Sequence, residues 1–472
     1  MGRYRARCTQ GSLARGGQKG GFKAAFEAEI VAEIEALVGT GAVEDWDFEA
    51  IETAARRKAM RVAARAVEQR FNADTSDHIG PTAPCSCGQP ARYAGRHTKS
   101  FTSVLGPLAL ERAYHHCTAC QAGFCSRERV LGLEGPSLSP GVMRMVGHVG
   151  AMVSFVEGSE LLQELAGVAV DPKQVERTAE ALGREIAQDE RSVVEPESPA
   201  APTMYLGMDG TGVPMRPSEL EGREGKQPDG SSKTREVKLV TVWSAEGRDE
   251  EGIPVRDPGS VTYLAAIESA ATRDTDKEVS PFAQRADREA RRRGFDQARC
   301  RVVLGDGAPW IWNLADEQFP GAIQIVDLYH AKGHLWDVAK AIYGAGSDLA
   351  EQWAKQRRDE LDEGKIDAVL AALQVHAPAN DEARKCLDHI ARNQSRMRYP
   401  ELRAQGLCVS SGVVEAGCKV AIGTRLKRAG MHWTVAGADA IIALRCCKLS
   451  GRFEDFWERR SGAARAGAAG AG

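Results

Sequence analysis

Apolar residues recur every three or four positions between residues 22 and 72, in FKAAFEAEIVAEIEALV and again in AARRKAMRVAARAVEQRF. That spacing predicts amphipathic helices packing on one another, and a helical N-terminal region is expected over 22–80. Residues 81–127 change character, with turn residues, short alternating runs and clustered cysteines. Helical spacing returns over 128–192. VVEPESPAAP, residues 193–202, carries three prolines and predicts a linker and a domain boundary. From 203 to 450 strand-like runs alternate with helical ones: MYLGMDGT, REVKLVTVWSA and SVTYLAAIE, a helix at 281–293, the strand RVVLGDGA, a helix from about 310, the strand AIQIVDLYH and a helix from 334. Strands alternating with helices predict an α/β sheet. Residues 347–395 read as an all-helical insertion, and a last long helical region runs from about 411 to 449. The segment 451–472, ending in SGAARAGAAGAG, is low-complexity and expected to be disordered.

Within the second helical region, SELLQELAGVAVDPKQVERTAEALGREI reads as helix, turn, helix. Leu161, Leu162 and Leu165 mark the first apolar face, and Gly167 ends that helix. Asp171 can cap the next, with Pro172 at its first position. Val175, Ala179, Leu182 and Ile186 then share one face. A DNA-binding helix-turn-helix fits, with Lys173 and Arg177 as candidate contacts. An ordinary helical hairpin fits equally well.

Length and composition set outer bounds. A chain of 472 residues holds about two to four domains. Hydrophobic residues make up 43% and charged residues 27%, as in ordinary globular proteins. No apolar run of about 18 residues occurs, so no membrane span is expected. The basic, glycine-rich beginning lacks the apolar core of a signal peptide, which predicts a cytoplasmic protein. The formal net charge of −3 hides basic stretches at 284–293 and 425–460, and such patches set the field that a phosphate backbone feels.

Of twelve cysteines, most are scattered and read as buried thiols. Cys85 and Cys87, in C-x-C, and Cys117 and Cys120, in C-x-x-C, form two pairs flanking strand-like sequence. Two thiolate pairs at hairpin tips describe a zinc ribbon with a structural, tetrahedral Zn²⁺. The C-x-C spacing departs from the common one, which leaves Cys125, His115 or His116 as alternatives for one ligand. The four thiols could also simply be reduced and free.

Three carboxylates stand out by setting. Asp209 follows an apolar run and lies between glycines in MYLGMDGTGVPM. Asp306 follows RVVLG, again at the expected end of a strand. Glu415 lies near the start of a helix in SSGVVEAGCKVAIGTRLK. Two unit charges 4 Å apart repel by about 4 kcal/mol at an effective dielectric near 20, so three carboxylates together retain a proton or hold a cation. Oxygen-only ligands suit Mg²⁺ or Mn²⁺. Two such ions can activate a water or a 3′-hydroxyl and stabilise a leaving oxygen. Each residue also has a plainer role. Asp-Gly pairs form turns, and Glu415 can pair with Lys419 for about 0.2–0.5 kcal/mol.

Taken together, MDGTGVP, VVLGDGAPWIWN with IVDLYHAKGHLW downstream, and SSGVVEAGCKVAIGTRLKRAGMHWTVAGADAIIALR resemble the catalytic core of DDE transposases, which is RNase H-like. The best match is to bacterial insertion-sequence transposases of the ISKra type, over essentially all of 203–450. Asp327-Leu328-Tyr329-His330 resembles the C/D-x-x-H element of mutator- and hAT-related transposases. The resemblance implies that Asp209, Asp306 and Glu415 bind two Mg²⁺ or Mn²⁺ ions, with Asp327 and His330 supporting the site from a strand beside it. It implies an enzyme that binds the terminal inverted repeats of its element as double-stranded DNA. That enzyme cleaves at the element ends and joins the 3′-hydroxyl strand to target DNA, acting as a homodimer or higher assembly at the nucleoid. Arg425, Lys427 and Arg428 are candidate phosphate contacts, and Trp433 can stack on a base or sit in the core. A DNA-binding protein with a decayed core, and an RNase H-like nuclease or resolvase without strand transfer, are the alternatives.

Overall fold

The computed structural model describes residues 27–28, 30–35, 47–135, 137–192, 200–225, 227, 230–270, 279–410 and 412–469. Much of the first expected helix and most of the expected linker lie outside the described residues. The protein is mixed α/β and divides into two compact units, residues 1–142 with 162–170 and 464–472, and residues 143–161 with 171–463. No helix among the described residues is long and apolar enough to cross a membrane.

The first unit carries helix α1 (Phe48–Asn72) and an antiparallel sheet of β1 (Thr82–Pro84), β2 (Pro90–Ser103), β3 (Gly106–His116) and β4 (Gly123–Phe124), in that order. The Asp47 carboxylate caps α1 by accepting from Glu49 N. Asn72 ties the other end of α1 to β3, donating to Ala109 O at 3.0 Å and accepting from Glu111 N at 2.8 Å. Ala64 of α1 closes a small core with Phe101, Leu108, Leu110 and Leu133.

The second unit is built on a five-stranded mixed sheet. Its strands are β5 (Thr203–Pro214), β6 (Thr234–Ser244), β7 (Thr262–Ala266), β8 (Cys300–Gly305) and β9 (Ile323–Val326), in the order β9-β8-β5-β6-β7. β5, β6 and β7 are antiparallel, while β8 runs parallel to β5 and β9 parallel to β8. The parallel pairs require crossovers, which the helices between those strands supply. Stacked Tyr205 and Trp243 (5.5 Å between centroids) pair across β5 and β6, and the Tyr205 hydroxyl accepts from Cys408 N at 3.0 Å.

Helices α2 (Pro140–Met152), α3 (Phe155–Leu161) and α4 (Pro172–Ser192) precede the sheet. α5 (Pro281–Arg292), α6 (Pro309–Gln318) and α7 (Leu328–Tyr343) lie among its strands in the chain. α8 (Asp348–Asp362), α9 (Ile366–His376) and α10 (Asp381–Asn393) make the 347–395 segment helical, capped by Ser347 and Asn380. α11 (Val413–Gly417), α12 (Val435–Leu449) and α13 (Phe453–Ala469) complete the chain.

Several sequence expectations change. The 411–449 region is not one helix. α11 runs into a π-helical turn, Cys418–Gly423, then a short helix and an irregular stretch before α12. The segment 451–472 is not wholly irregular, because α13 extends to Ala469; its alanines have the strongest helix propensity. The Asp-Gly step at 209–210 is not a turn. β5 continues through it and pairs with β6 as far as Pro214 opposite Thr234. Gly210 and Gly212 lie against side chains of β6, where an added Cβ would sit 2.7 Å from Glu236 Oε1 and 2.7 Å from Thr234 Oγ1.

The linker at 193–202 does not divide the compact units, since α4 belongs with the sheet. Asp171 caps α4 through Lys173 N at 2.8 Å, and Val175, Ala179, Leu182 and Ile186 are buried as their spacing predicts. α4 packs so closely on α12 that a Cβ at Gly183 would lie 1.9 Å from Ala440 O. Gly183→Ala is therefore expected to destabilise the fold by about 1–3 kcal/mol, read as a lower urea midpoint. Gly333→Ala, within α7 where a Cβ meets nothing within 4 Å, is expected to stabilise it by up to about 1 kcal/mol in the same titration.

Candidate functional site

One place among the described residues gathers side chains capable of holding metal, and a second brings two of the expected carboxylates towards each other. In the first unit, the β1–β2 turn presents Cys85 and Cys87, and the β3–β4 turn presents Cys117 and Cys120. Gly88 N donates to Cys85 O at 2.9 Å and Cys117 N to Ala122 O at 2.8 Å, which folds each pair inward. Gln121 takes a positive φ of 60° in the second turn. Cys85 and Cys120 Sγ are 3.5 Å apart and Cys87 and Cys117 Sγ 3.6 Å, with all four sulfurs within 4.8 Å of one another. Tetrahedral zinc with 2.3 Å bonds needs sulfurs about 3.8 Å apart, so the donor set fits a structural ion such as Zn²⁺. Hydrogen bonds within the cluster lower the Cys85 thiol pKa, first through the Cys87 backbone N–H, and raise that of Cys120, so the four thiols share their protons. Of the candidates for a fourth ligand, Cys87 is the one grouped with Cys85, Cys117 and Cys120. Cys125 is buried outside this group, and the buried His115 ring packs against Tyr93 and Phe124.

In the second unit the sheet places two of the three carboxylates side by side. β5 and β8 pair in parallel until Met208 meets Gly305, so Asp209, still within β5, and Asp306, the first residue beyond β8, both follow the last pair. Burial raises the Asp209 pKa and the Asp306 charge adds to it, while the Cys418 thiol and the Gly210 N–H oppose them by hydrogen bonding. Gly210 N lies 2.6 Å from Asp209 Oδ1, and Asp306 Oδ1 accepts from Ala308 N at 2.8 Å.

Glu415 is exposed on α11, which covers this same part of the sheet. Two glycines let the helix descend. A Cβ at Gly207 would be 2.4 Å from Val414 Cγ2, and one at Gly417 would be 2.9 Å from Leu239 Cδ2. Leu239 is the β6 partner of Asp209. The close approach at Gly417 is thus helix against sheet, which Gly423 does not share. The π-helical turn that follows brings Cys418 to Asp209, and single π turns frequently mark functional sites.

Among the described residues the four cysteines are the one group of three or more His, Cys, Asp or Glu drawn within 4.8 Å. Asp209, Asp306 and Glu415 do not form such a group.

Asp327 and His330 stand on a helix rather than a strand. β9 ends at Val326, and Asp327 caps α7, accepting from Tyr329 N at 2.9 Å, His330 N at 3.2 Å and Ser410 Oγ at 3.2 Å. The cap explains the D-x-x-H spacing locally, since capping side chains reach the second and third residues of a helix. His330 is exposed, with its ring 5.4 Å from His334, whose ring lies 4.7 Å from His389. The sequence reading missed His334, His389 and Cys418. The signal for His334 was its four-residue spacing from His330, hidden while 322–330 read as a strand. Nothing local distinguishes His389.

Two of the expected DNA contacts are structural. Arg425 is fully buried, donating to Gly150 O at 3.0 Å with its guanidinium 4.7 Å from the Phe155 ring and 5.3 Å from Trp433. Trp433 is buried as well and donates to Leu426 O at 3.0 Å. Neither can reach a phosphate or stack on a base. Lys427 and Arg428 are exposed; Lys427 reaches the Thr211 hydroxyl and Arg428 pairs with Glu157 at 2.7 Å. Lys173 pairs with Glu176 at 2.6 Å, and Arg177 is exposed on α4.

The chain matches none of the protein-family models compared with it, and comparison with curated proteins found no match.

Two measurements follow from these sites. Protein purified without chelator is expected to carry one zinc per chain by atomic absorption, and Cys117→Ser to lose it with a lower melting temperature. Burial, then the neighbouring His334, lowers the His389 pKa from 6.5 to about 4. The unfolded chain therefore binds this proton first, so the contribution to stability falls as pH drops from about 6.5 to about 4. His389→Gln is expected to remove that slope from urea midpoints measured across the window.

Proposed function

We propose that the chain is a metal-dependent DDE transposase of the insertion-sequence type. The observation that carries this is that Asp209 and Asp306 both directly follow the last β5–β8 pair, Met208 with Gly305, where the helix that bears Glu415 packs on β5. The sheet, three antiparallel strands in succession extended by two parallel ones, supports an RNase H-like core. The paired cysteines at two hairpin turns support a zinc ribbon.

In this reading Asp209, Asp306 and Glu415 would hold Mg²⁺ or Mn²⁺, and such ions would supply activation of a water or 3′-hydroxyl and charge to stabilise the leaving oxygen of a phosphodiester. The Ala308 N–H fixes one oxygen of Asp306 and leaves the other free. Asp327 fixes the start of α7 and so the placement of His330. Lys427 and Arg428, beyond the glutamate helix, and Lys173 and Arg177 on α4 supply charge for phosphates. Double-stranded DNA is the substrate, as terminal inverted repeats and as target. Joining two element ends calls for a homodimer or larger assembly, and the place of action is the bacterial cytoplasm.

The test uses a plasmid carrying this gene's own flanking DNA, together with pre-cut ends bearing a free 3′-hydroxyl. With Mg²⁺ the wild type is expected to nick and to join. Asp209→Asn, Asp306→Asn and Glu415→Gln are each expected to abolish both reactions while retaining DNA binding in gel shifts. Nicking without joining would favour a nuclease or resolvase, and binding with neither would favour a decayed core. Full activity in any of the three variants would sink the assignment.

A further inference from the structure

The turn that carries Asp306 is held from an unexpected side. Asn393, the last residue of α10 in the helical insertion, is only 3% exposed, and both ends of its amide are engaged. Its Oδ1 accepts from Trp312 Nε1 at 2.8 Å. An indole N–H only donates, so this bond fixes which end of the amide is oxygen. Nδ2 therefore faces Gly307 O at 3.3 Å and His389 O at 3.0 Å. The His389 ring closes the same pocket, since a Cβ on Gly307 would fall 2.3 Å from its Cε1. Gly307 has a φ of +97°, a conformation that needs glycine.

The Gly307 carbonyl and the Ala308 N–H belong to one peptide group, which is planar. Asn393 holds the oxygen of that plane, and the N–H on its other side holds Asp306 Oδ1 at 2.8 Å. We infer that Asn393 is a positioning residue for Asp306, setting the direction of its carboxylate through the Gly307–Ala308 peptide plane. The helical insertion thereby becomes part of the metal site. Trp312, in the first turn of α6, completes the loop by holding Asn393. This inference rests on the reading of Asp306 as a metal ligand.

The experiment measures Mn²⁺ affinity of the full-length chain by isothermal titration calorimetry, with melting temperatures of the metal-free proteins alongside. Asn393→Asp keeps the acceptor for Trp312 and removes the donor to Gly307. It and Asn393→Ala are expected to weaken Mn²⁺ binding about tenfold, the usual effect of removing a group that orients a ligand. Leu373→Ala opens a hole in the buried face of α9 in the same insertion without touching the turn. It is expected to lower the melting temperature and leave Mn²⁺ affinity unchanged. Wild-type affinity in Asn393→Asp, or an equal loss in Leu373→Ala, would overturn the positioning role. Asp306→Ala separates the two levels: if it binds Mn²⁺ as the wild type does, or if the wild type binds none, the ligand reading fails and this inference with it.

Discussion

Everything at the candidate site depends on the register of two parallel strands. β5 and β8 pair from Thr203 opposite Cys300 to Met208 opposite Gly305, and residues paired across a sheet share a face. A slip of one residue would turn every side chain of one strand over, sending one aspartate to each side of the sheet. The register is held by burial on both strands, from Met204 to Met208 and from Val302 to Gly305. Two charges are thus kept adjacent by the apolar residues that precede them.

The cover over these charges obeys a steric rule as strict as the register. α11 rests where Gly207 and Gly417 leave no side chain, and the neighbours that fill the space, Val414 on one side and Leu239 and Thr241 on the other, are apolar or small. A methyl at either glycine would raise the helix. Beyond it, the π turn redirects the chain so that Cys418 meets Asp209 and Arg425 enters the interior. Once inside, the guanidinium is sandwiched by Phe155 and Trp433 and satisfied in part by the Gly150 carbonyl.

How far the sequence could be read depends on whether neighbours in the chain or neighbours in space decide the outcome. The strand cores of β5, β6, β8 and β9, the helical insertion and the cap at Asp171 were all legible, because periodicity and capping chemistry act within a few residues. The buried face of α4 was legible for the same reason. The continuation of β5 through an Asp-Gly pair was not, because its partner β6 lies across the polar segment 215–233 and supplies the pairing that overrides the turn preference. The end of β9 was hidden because Asp327 suits a strand end and a helix cap alike. Arg425 and Trp433 resembled a phosphate contact and a stacking ring in sequence, but their burial is decided by Phe155 and Gly150, far earlier in the chain. The choice of Cys87 over Cys125 was likewise a question of which turn faces which.

The contact between Gly183 and Ala440 has a consequence for scale. α4 presses its backbone onto α12 and belongs to the same compact unit as the sheet. Lys173 and Arg177 near its start therefore share that unit with Asp209 and Asp306. On the proposed reading, DNA held at α4 would meet the carboxylates a set number of repeat units away, with one helix and one sheet serving as a ruler.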